Sequence, residues 1–273
     1  FLGEVSRTDI ASRFGVAPAG ATRDLAVYRE AAPKNIVFDG SSKTYRIGPT
    51  FHPLFEHPLN RTLTALSQGF GDGLGRSAGS MVPCEFPEPI NRPAMDTLAQ
   101  VTRAIRARAV LSVSYVSLGG GESEREIVPF ALADNGLRWH ARAFDRRSGS
   151  YRDFVLTRIR RADLVSENPP RPSEGYVNDI QWNRVVEVEL VAHPDGPRPE
   201  IAELDYPMED GVLRLRVRAA LAGYVLRRWS VDCSPNHCLA GPEYRLWLRD
   251  PLALYGVESA TLAPGYVPPG EGG

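Results

Sequence analysis

The chain has 273 residues, 42% of them hydrophobic and 24% charged, which supplies buried cores for two or three modules. Its formal net charge of -1 excludes a protein that is basic all over, yet the average hides local fields: residues 1–48 carry seven cations against five anions, and residues 101–165 carry twelve arginines against seven acids. No apolar run approaches membrane-spanning length, three cysteines without a leader sequence fit a reducing, cytoplasmic setting, and a start at Phe1 implies that native residues precede it.

Ser6 to Phe14 reads as a short helix capped by Ser6 or Thr8, with Ile10 and Phe14 inward. Gly15-Val16 gives a tight turn. A second helix follows from about Pro18 to Ala32 and packs back through Ala21, Leu25 and Tyr28. Asn35 to Phe38, the turn Asp39-Gly40-Ser41-Ser42 and Lys43 to Ile47 then form a β-hairpin. Two such helices and a hairpin make a winged helix-turn-helix, expected over residues 1–50, whose second helix enters a DNA major groove. On that helix Ala19, Thr22, Arg23 and Val27 lie opposite Leu25 and Tyr28. Arg23 suits a bidentate contact to guanine or a phosphate, Thr22 a phosphate or base, and Ala19 a thymine methyl. Lys34, Asn35 and Lys43 suit backbone contacts, which position without specifying.

Residues 51–109 read as a helical linker region. His57 to Gly69 forms a helix, Gly71 to Pro93 an irregular connector rich in Gly and Pro, and Pro93 to Ala109 an amphipathic helix with Met95, Leu98, Val101 and Ile105 at helical spacing.

From 110 to 166, short alternating strands separated by glycine-rich or polar turns have the grammar of a small barrel. Leu111, Val113 and Tyr115 share one side of the first strand. After the Asp134-Asn135-Gly136 turn, Trp139, Ala141 and Ala143 share one side, and His140, Arg142 and Phe144 take the other. Tyr115, Ser117, Arg125, His140, Arg142, Arg152, Phe154 and Arg158 would form a basic site with two aromatics, suited to phosphate charge and base stacking. The blander alternative makes Tyr115 and Phe154 core and pairs the arginines with Glu122, Glu124, Glu126 or Asp153. Inward cations at His140, Arg142 and Arg158 would repel one another unless an anionic ligand relieved them.

Glu167 to Gly175, with three prolines, marks the next boundary. Residues 183–267 alternate strand (Val185 to Ala192), helix (Pro199 to Leu204), strand (Val212 to Val217), helix (Ala220 to Trp229) and strand (Tyr244 to Arg249), a βαβαβ unit of α+β type, and the tail from Pro268 is expected to be disordered. Cys233-Ser-Pro-Asn-His237-Cys238 lacks a clean second ligand pair, and Cys84 is far away, so core cysteine and neither metal nor cofactor is expected. No Gly-x-Ser-x-Gly elbow is read, since Gly75-Arg-Ser77-Ala-Gly79 falls inside the irregular Gly/Pro-rich connector and not between a strand and a helix; His-Glu-x-x-His is absent and five scattered histidines give no catalytic set, so an enzyme is disfavoured.

Tyr115-x-Ser117, Pro129, Gly136-Leu137-x-Trp139, Arg142 and Arg152-x-Phe154-x-x-x-Arg158 resemble the WYL domain, an Sm/SH3-like β-barrel of bacterial transcription regulators. His140 and Ala141 stand where the namesake motif has Tyr and Leu, so any tyrosine-dependent ligand contact does not carry over. Leu226-Arg227-Arg228-Trp229-x-Val231-Asp232 and Leu262-Ala263-Pro264-Gly265-Tyr266 resemble the dimerising C-terminal extension of WYL repressors attached to phage-defence (BREX, CBASS) operons. Arg23-Asp24-Leu25, Tyr28, the corner from Ala32 to Asn35, and Lys43-x-Tyr45 resemble their winged N-termini, which adds Tyr45 to the DNA-facing set. The resemblance implies an α+β multidomain, cytoplasmic, homodimeric repressor that binds inverted repeats in double-stranded DNA and answers to a nucleotide or oligonucleotide effector at the barrel. The competing reading is an RNA- or single-strand-binding accessory protein that uses the barrel as its working surface.

Overall fold

The computed structural model describes residues 2–68, 82–85 and 90–268 and falls into two units, Phe1–Glu88 and Pro89–Gly273. In the first, β1 (Glu4–Ser6) leads directly into α1 (Arg7–Phe14). Ser6, not Thr8, is the cap: its hydroxyl accepts from the Asp9 N–H at 3.0 Å while its own N–H donates to the Asp9 carboxylate at 2.8 Å. Gly15 ends α1 at φ 63°, a left-handed conformation that costs glycine nothing. α2 (Pro18–Ala31) buries Ala21 and Leu25 and half-buries Tyr28, as its spacing requires. β2 (Ile36–Asp39) and β3 (Thr44–Ile47) form the expected hairpin, and β1 pairs with β3 to complete a three-stranded sheet in the order β1-β3-β2. Phe14, expected inward, is 62% exposed and lines an open apolar pocket with Ile10, Leu25, Tyr28 and Ile36. α3 (Leu59–Gln68) is the linker helix, and the Gly/Pro-rich connector lies largely outside the described residues.

The second unit opens with α4 (Met95–Ala107), which buries Thr97, Val101 and Ala104 and leaves Met95, an expected inward position, exposed. Five antiparallel strands follow: β4 (Val110–Ser117), β5 (Gly121–Asp134), β6 (Trp139–Asp145), β7 (Ser150–Val155) and β8 (Ile159–Val165), in the order β7-β6-β5-β4-β8. The sheet bulges between Ser114 and Tyr115 and between Pro129 and Ala131; β7 pairs with β6 and β8 with β4 but not with each other, so the five strands form an open sheet where an Sm/SH3-like barrel was expected. Leu111, Val113, Tyr115, Ile127, Ala141, Ala143 and Phe154 point to one face, where Val101 and Ala104 of α4 pack on them.

Behind a linker with a four-residue helix, α5 (Ile180–Asn183), comes the expected β-α-β-α-β order: β9 (Val185–Ala192), α6 (Glu200–Asp205), β10 (Val212–Arg218), α7 (Ala219–Arg228) and β11 (Leu246–Leu248), with sheet order β10-β9-β11. Val186, Val188, Leu190, Ala222, Leu226 and Leu248 belong to its separate core. Gly223 lets α7 cross the turn at Ser259 closely. Its N–H donates to Ser259 Oγ at 3.0 Å, and a Cβ there would fall on the Ser259 carbonyl. Gly223→Ala is therefore expected to destabilise this unit by about 1–3 kcal/mol. An unchanged urea midpoint would show that the turn yields freely.

Candidate nucleic-acid interface and ligand site

On α2 the buried positions Ala21 and Leu25 leave Ala19, Thr22 and Arg23 on the exposed side, joined by Ala26, Val27 and Glu30. Thr22 spends its hydroxyl donor on the Pro18 carbonyl at 3.0 Å, whereas Arg23 has no hydrogen bond or ion pair with another described residue. Lys34 is exposed, and Lys43 stands exposed at the hairpin turn with φ 59°. Tyr45 is half-buried against Phe38, ring centroids 5.0 Å apart. Asn35 is a correction. It is buried, donates to Tyr28 Oη and the His52 carbonyl, and accepts from the His52 N–H, so it clamps the chain leaving the wing and is not free for a phosphate. Arg46, which the sequence reading passed over, is exposed but tied to Asp39 at 3.0 Å.

The eight residues expected to converge at the WYL-like sheet are divided between its faces. Arg125 lies across from Val113 and Arg152 across from Ala143, on the face that carries Tyr115 and Phe154. Tyr115 and Phe154 are buried edge-on to each other at 5.0 Å, so they are core and cannot stack a base. The Tyr115 hydroxyl accepts from the Val155 N–H. Arg125 donates to buried Asp145 at 2.7 Å, and Arg152, 57% exposed, reaches Ser150 at 3.3 Å and approaches Asp145 only to 4.0 Å. Arg158 is half-buried after β7 and makes no hydrogen bond or ion pair with another described residue. Ser117 accepts from the Gly120 N–H at the hairpin tip.

His140 and Arg142 take the opposite face, covered by the C-terminal module. Arg142 donates to Asp179 through Nε at 2.8 Å and Nη2 at 3.1 Å, and to Asp153 through Nη1 at 3.3 Å. Asp153 also accepts from the Tyr224 hydroxyl at 3.3 Å, and the Tyr224 ring lies 5.3 Å from that of His140. Burial lowers the His140 pKa below 6.5 although Asp153 pulls it up, so the imidazole is neutral at pH 7. Burial likewise holds Asp153 above the usual carboxylate range despite Arg142, and raises the Tyr224 phenol. The expected repulsion among inward cations therefore does not arise: one of the three is neutral, and another is paired with two carboxylates. Beside this network a cleft of about 330 Å³ is lined by Arg142, Arg152, Asp153, Tyr224 and Glu258, whose charges balance.

Arg146 makes a second tie, bidentate to Glu174 of the proline-rich linker at 2.8 Å and to Glu126 at 2.8 Å. In the C-terminal module Cys233 is buried, its thiol pushed up by burial to about 12, while Cys238 is exposed and His237 pairs with Asp195 at 3.0 Å. Among the described residues no three His, Cys, Asp or Glu side chains are grouped to hold a metal ion, and no helix is long and apolar enough to cross a membrane.

Two outcomes follow from these ties. Arg142→Ala leaves Asp153 and Asp179 buried without their counter-charge and is expected to cost about 3–5 kcal/mol in urea denaturation; a loss under 1 kcal/mol would mean that water takes the place of the guanidinium. Burial raises the Glu174 pKa, but Arg146 and the Arg171 N–H outweigh it and leave it below 4.5. The stability that Glu174 contributes is thus complete above 4.5 and lost as pH falls through the lowered value, so the gap between the unmodified protein and Glu174→Gln should close on acidification. A gap independent of pH between 6 and 2 would refute this pairing as its source.

Three family models match the chain: the BrxR transcriptional regulator winged helix-turn-helix domain over residues 1–68, the WYL domain over 96–164, and the BrxR transcriptional regulator C-terminal dimerization domain over 185–254. The DNA-binding transcriptional repressor CapW of Escherichia coli (strain KTE188) is 33% identical over 247 residues, 86% of this chain and 80% of that protein. CapW of Stenotrophomonas maltophilia is 32% identical over 91% of this chain and 88% of its own length. Among solved structures, proteasome accessory factor B/C of Arthrobacter aurescens matches 92% of this chain and 40% of its own at 19% identity, with a TM-score of 0.29, too low to carry an argument. With all three modules matched in order and relatives this similar over most of its length, the chain belongs to the BrxR family of WYL-domain transcriptional regulators.

Proposed function

We propose that this protein is a transcriptional repressor that binds an inverted repeat in double-stranded DNA as a homodimer, in control of a phage-defence operon. The observation that carries the reading is the outward side of α2, where Arg23 stands without a partner among the described residues, beside Ala19 and Thr22, on a helix backed by a three-stranded wing. Such a helix presents a fork of donors to guanine O6 and N7 at little cost in freed ion pairs. The relatives named DNA-binding transcriptional repressor support it, as does a C-terminal module matched to a dimerization domain. Two winged units on one two-fold molecule multiply a weak individual affinity through effective concentration. Burial of Tyr115 and Phe154 removes the stacking platform that a single-strand-binding protein would need.

We place the effector at Arg152 and Arg158: Arg152 lies across from Ala143 in the sheet and also lines the cleft beside Arg142, Asp153 and Tyr224. Arg158 supports this, because it is half-buried without an anion among the described residues, which is costly, and a nucleotide phosphate would relieve it. The effector alters repression only if it binds the DNA-competent and DNA-incompetent states with different affinity.

Arg23→Ala is expected to weaken operator binding by about 1–3 kcal/mol and relax specificity at one base pair, whereas Lys43→Ala lowers the salt slope by about one on any sequence. Fluorescence anisotropy with operator and random duplexes reads both, and equal losses on the two duplexes for Arg23→Ala would refute base reading. Arg152→Ala combined with Arg158→Ala should keep melting temperature and operator affinity and abolish calorimetric binding of AMP and of a short oligonucleotide. Unaltered binding by that variant would move the effector elsewhere.

A further inference from the structure

We infer that a second copy of this chain docks on the apolar corner formed by Val177, Ile180, Leu252 and Tyr255. The inference rests on the dimeric reading above and names the face that serves it. The residues matched to the dimerization domain run from 185 to 254; Leu252 lies within them, and the other three flank them.

Three other surfaces of the module are less fit for an isologous contact. The outer face of its sheet is a ladder of ion pairs, Arg214 to Glu189 at 3.1 Å, Arg216 to Glu187 at 3.1 Å and Arg249 to Glu189 at 3.0 Å, whereas interface cores are depleted of charge. The free edge of β10 carries Arg214, Arg216 and Arg218, so pairing it antiparallel with its own copy would crowd like charges together. Trp229 is half-exposed, but Arg228 lies over its ring at 5.8 Å and Tyr206 meets it edge-on at 6.1 Å.

The corner differs on each count. Val177 is 65% exposed, Ile180 76%, Leu252 63% and Tyr255 66%. Hydrogen bonds join the two segments that bear them: Gln181 Nε2 donates to the Gly256 carbonyl at 2.9 Å, the Glu258 N–H donates to Gln181 Oε1 at 3.2 Å, and Arg184 donates to the Tyr255 carbonyl at 2.8 Å. Asp179 caps α5 while holding Arg142, so the corner is rigid before any partner arrives. The four side chains together expose on the order of 500 Å² of mostly apolar surface, at the upper end for a monomer and fit to form the centre of an interface of about 800 Å² per partner. Arg184 and Glu258 border the corner with opposite charges, which a two-fold axis sets against each other.

Sedimentation velocity on the full chain tests this. The unmodified protein should sediment as a dimer, Ile180→Glu with Tyr255→Glu should weaken dimerisation at least a hundredfold while keeping its melting profile, and Leu204→Glu, at an exposed site on α6, should remain dimeric. A double variant that stays dimeric overturns the corner; an unmodified chain that is monomeric overturns the dimeric reading itself. Should the double variant fail to fold, hydrogen exchange of the unmodified chain at high and low concentration decides. Concentration-dependent protection at 176–184 and 252–257 supports the corner, and protection confined to β10 or Trp229 overturns it.

Discussion

A guanidinium withdrawn from water between two carboxylates decides how the second unit is assembled. Arg142 comes from the sheet, Asp179 from the linker and Asp153 from the neighbouring strand, and Tyr224 of the C-terminal module completes the set by donating to Asp153. Removing any one charge strands the others, although replacing all of them by apolar groups of the same shape could leave stability unchanged. The network therefore specifies an arrangement more than it supplies net free energy. Because Asp179 also caps α5, the same interaction fixes the direction in which Ile180 is presented.

This network also changes the meaning of the positive charge written into residues 101–165. Counted within that window, arginine exceeds acid by a wide margin. The compensating carboxylates arrive later in the chain, Glu174 onto Arg146 and Asp179 onto Arg142, so a tally by window overstates the field. Among the described residues, Arg103, Arg106, Arg108, Arg138, Arg147 and Arg158 of this window remain without an ion pair, spread over α4, the turns and the stretch after β7.

Local periodicity made most elements legible. Ala21, Leu25 and Tyr28 placed the inner side of α2, the alternation from Leu111 to Tyr115 placed β4, and the C-terminal β-α-β-α-β order was readable from hydrophobic runs and turns. β1 was missed because three residues carry no periodic signal and their partner lies forty residues on. The alternation also put His140 and Arg142 on the side away from Ala141 and Ala143. Which side Tyr115 and Arg152 share with them depends on strand register, and register is a long-range property that no single segment encodes. The acids that the blander alternative set against the arginines do pair with them, Asp153 with Arg142, Glu126 with Arg146, Glu122 with Arg160 and Glu124 with Arg161, whereas Asp179, 37 residues from Arg142, was not foreseen. Asn35 looked like a surface amide because its clamp is made to backbone groups, which leave no trace in side-chain patterning.

β7 places Arg152 and Asp153 on consecutive residues and therefore on opposite faces of one sheet. Asp153 holds the buried contact with the C-terminal module, and Arg152 reaches the cleft beside it from the strand's outer edge. Were an anion to bind at Arg152 as proposed, one peptide unit would be all that separates it from the carboxylate that Arg142 and Tyr224 hold.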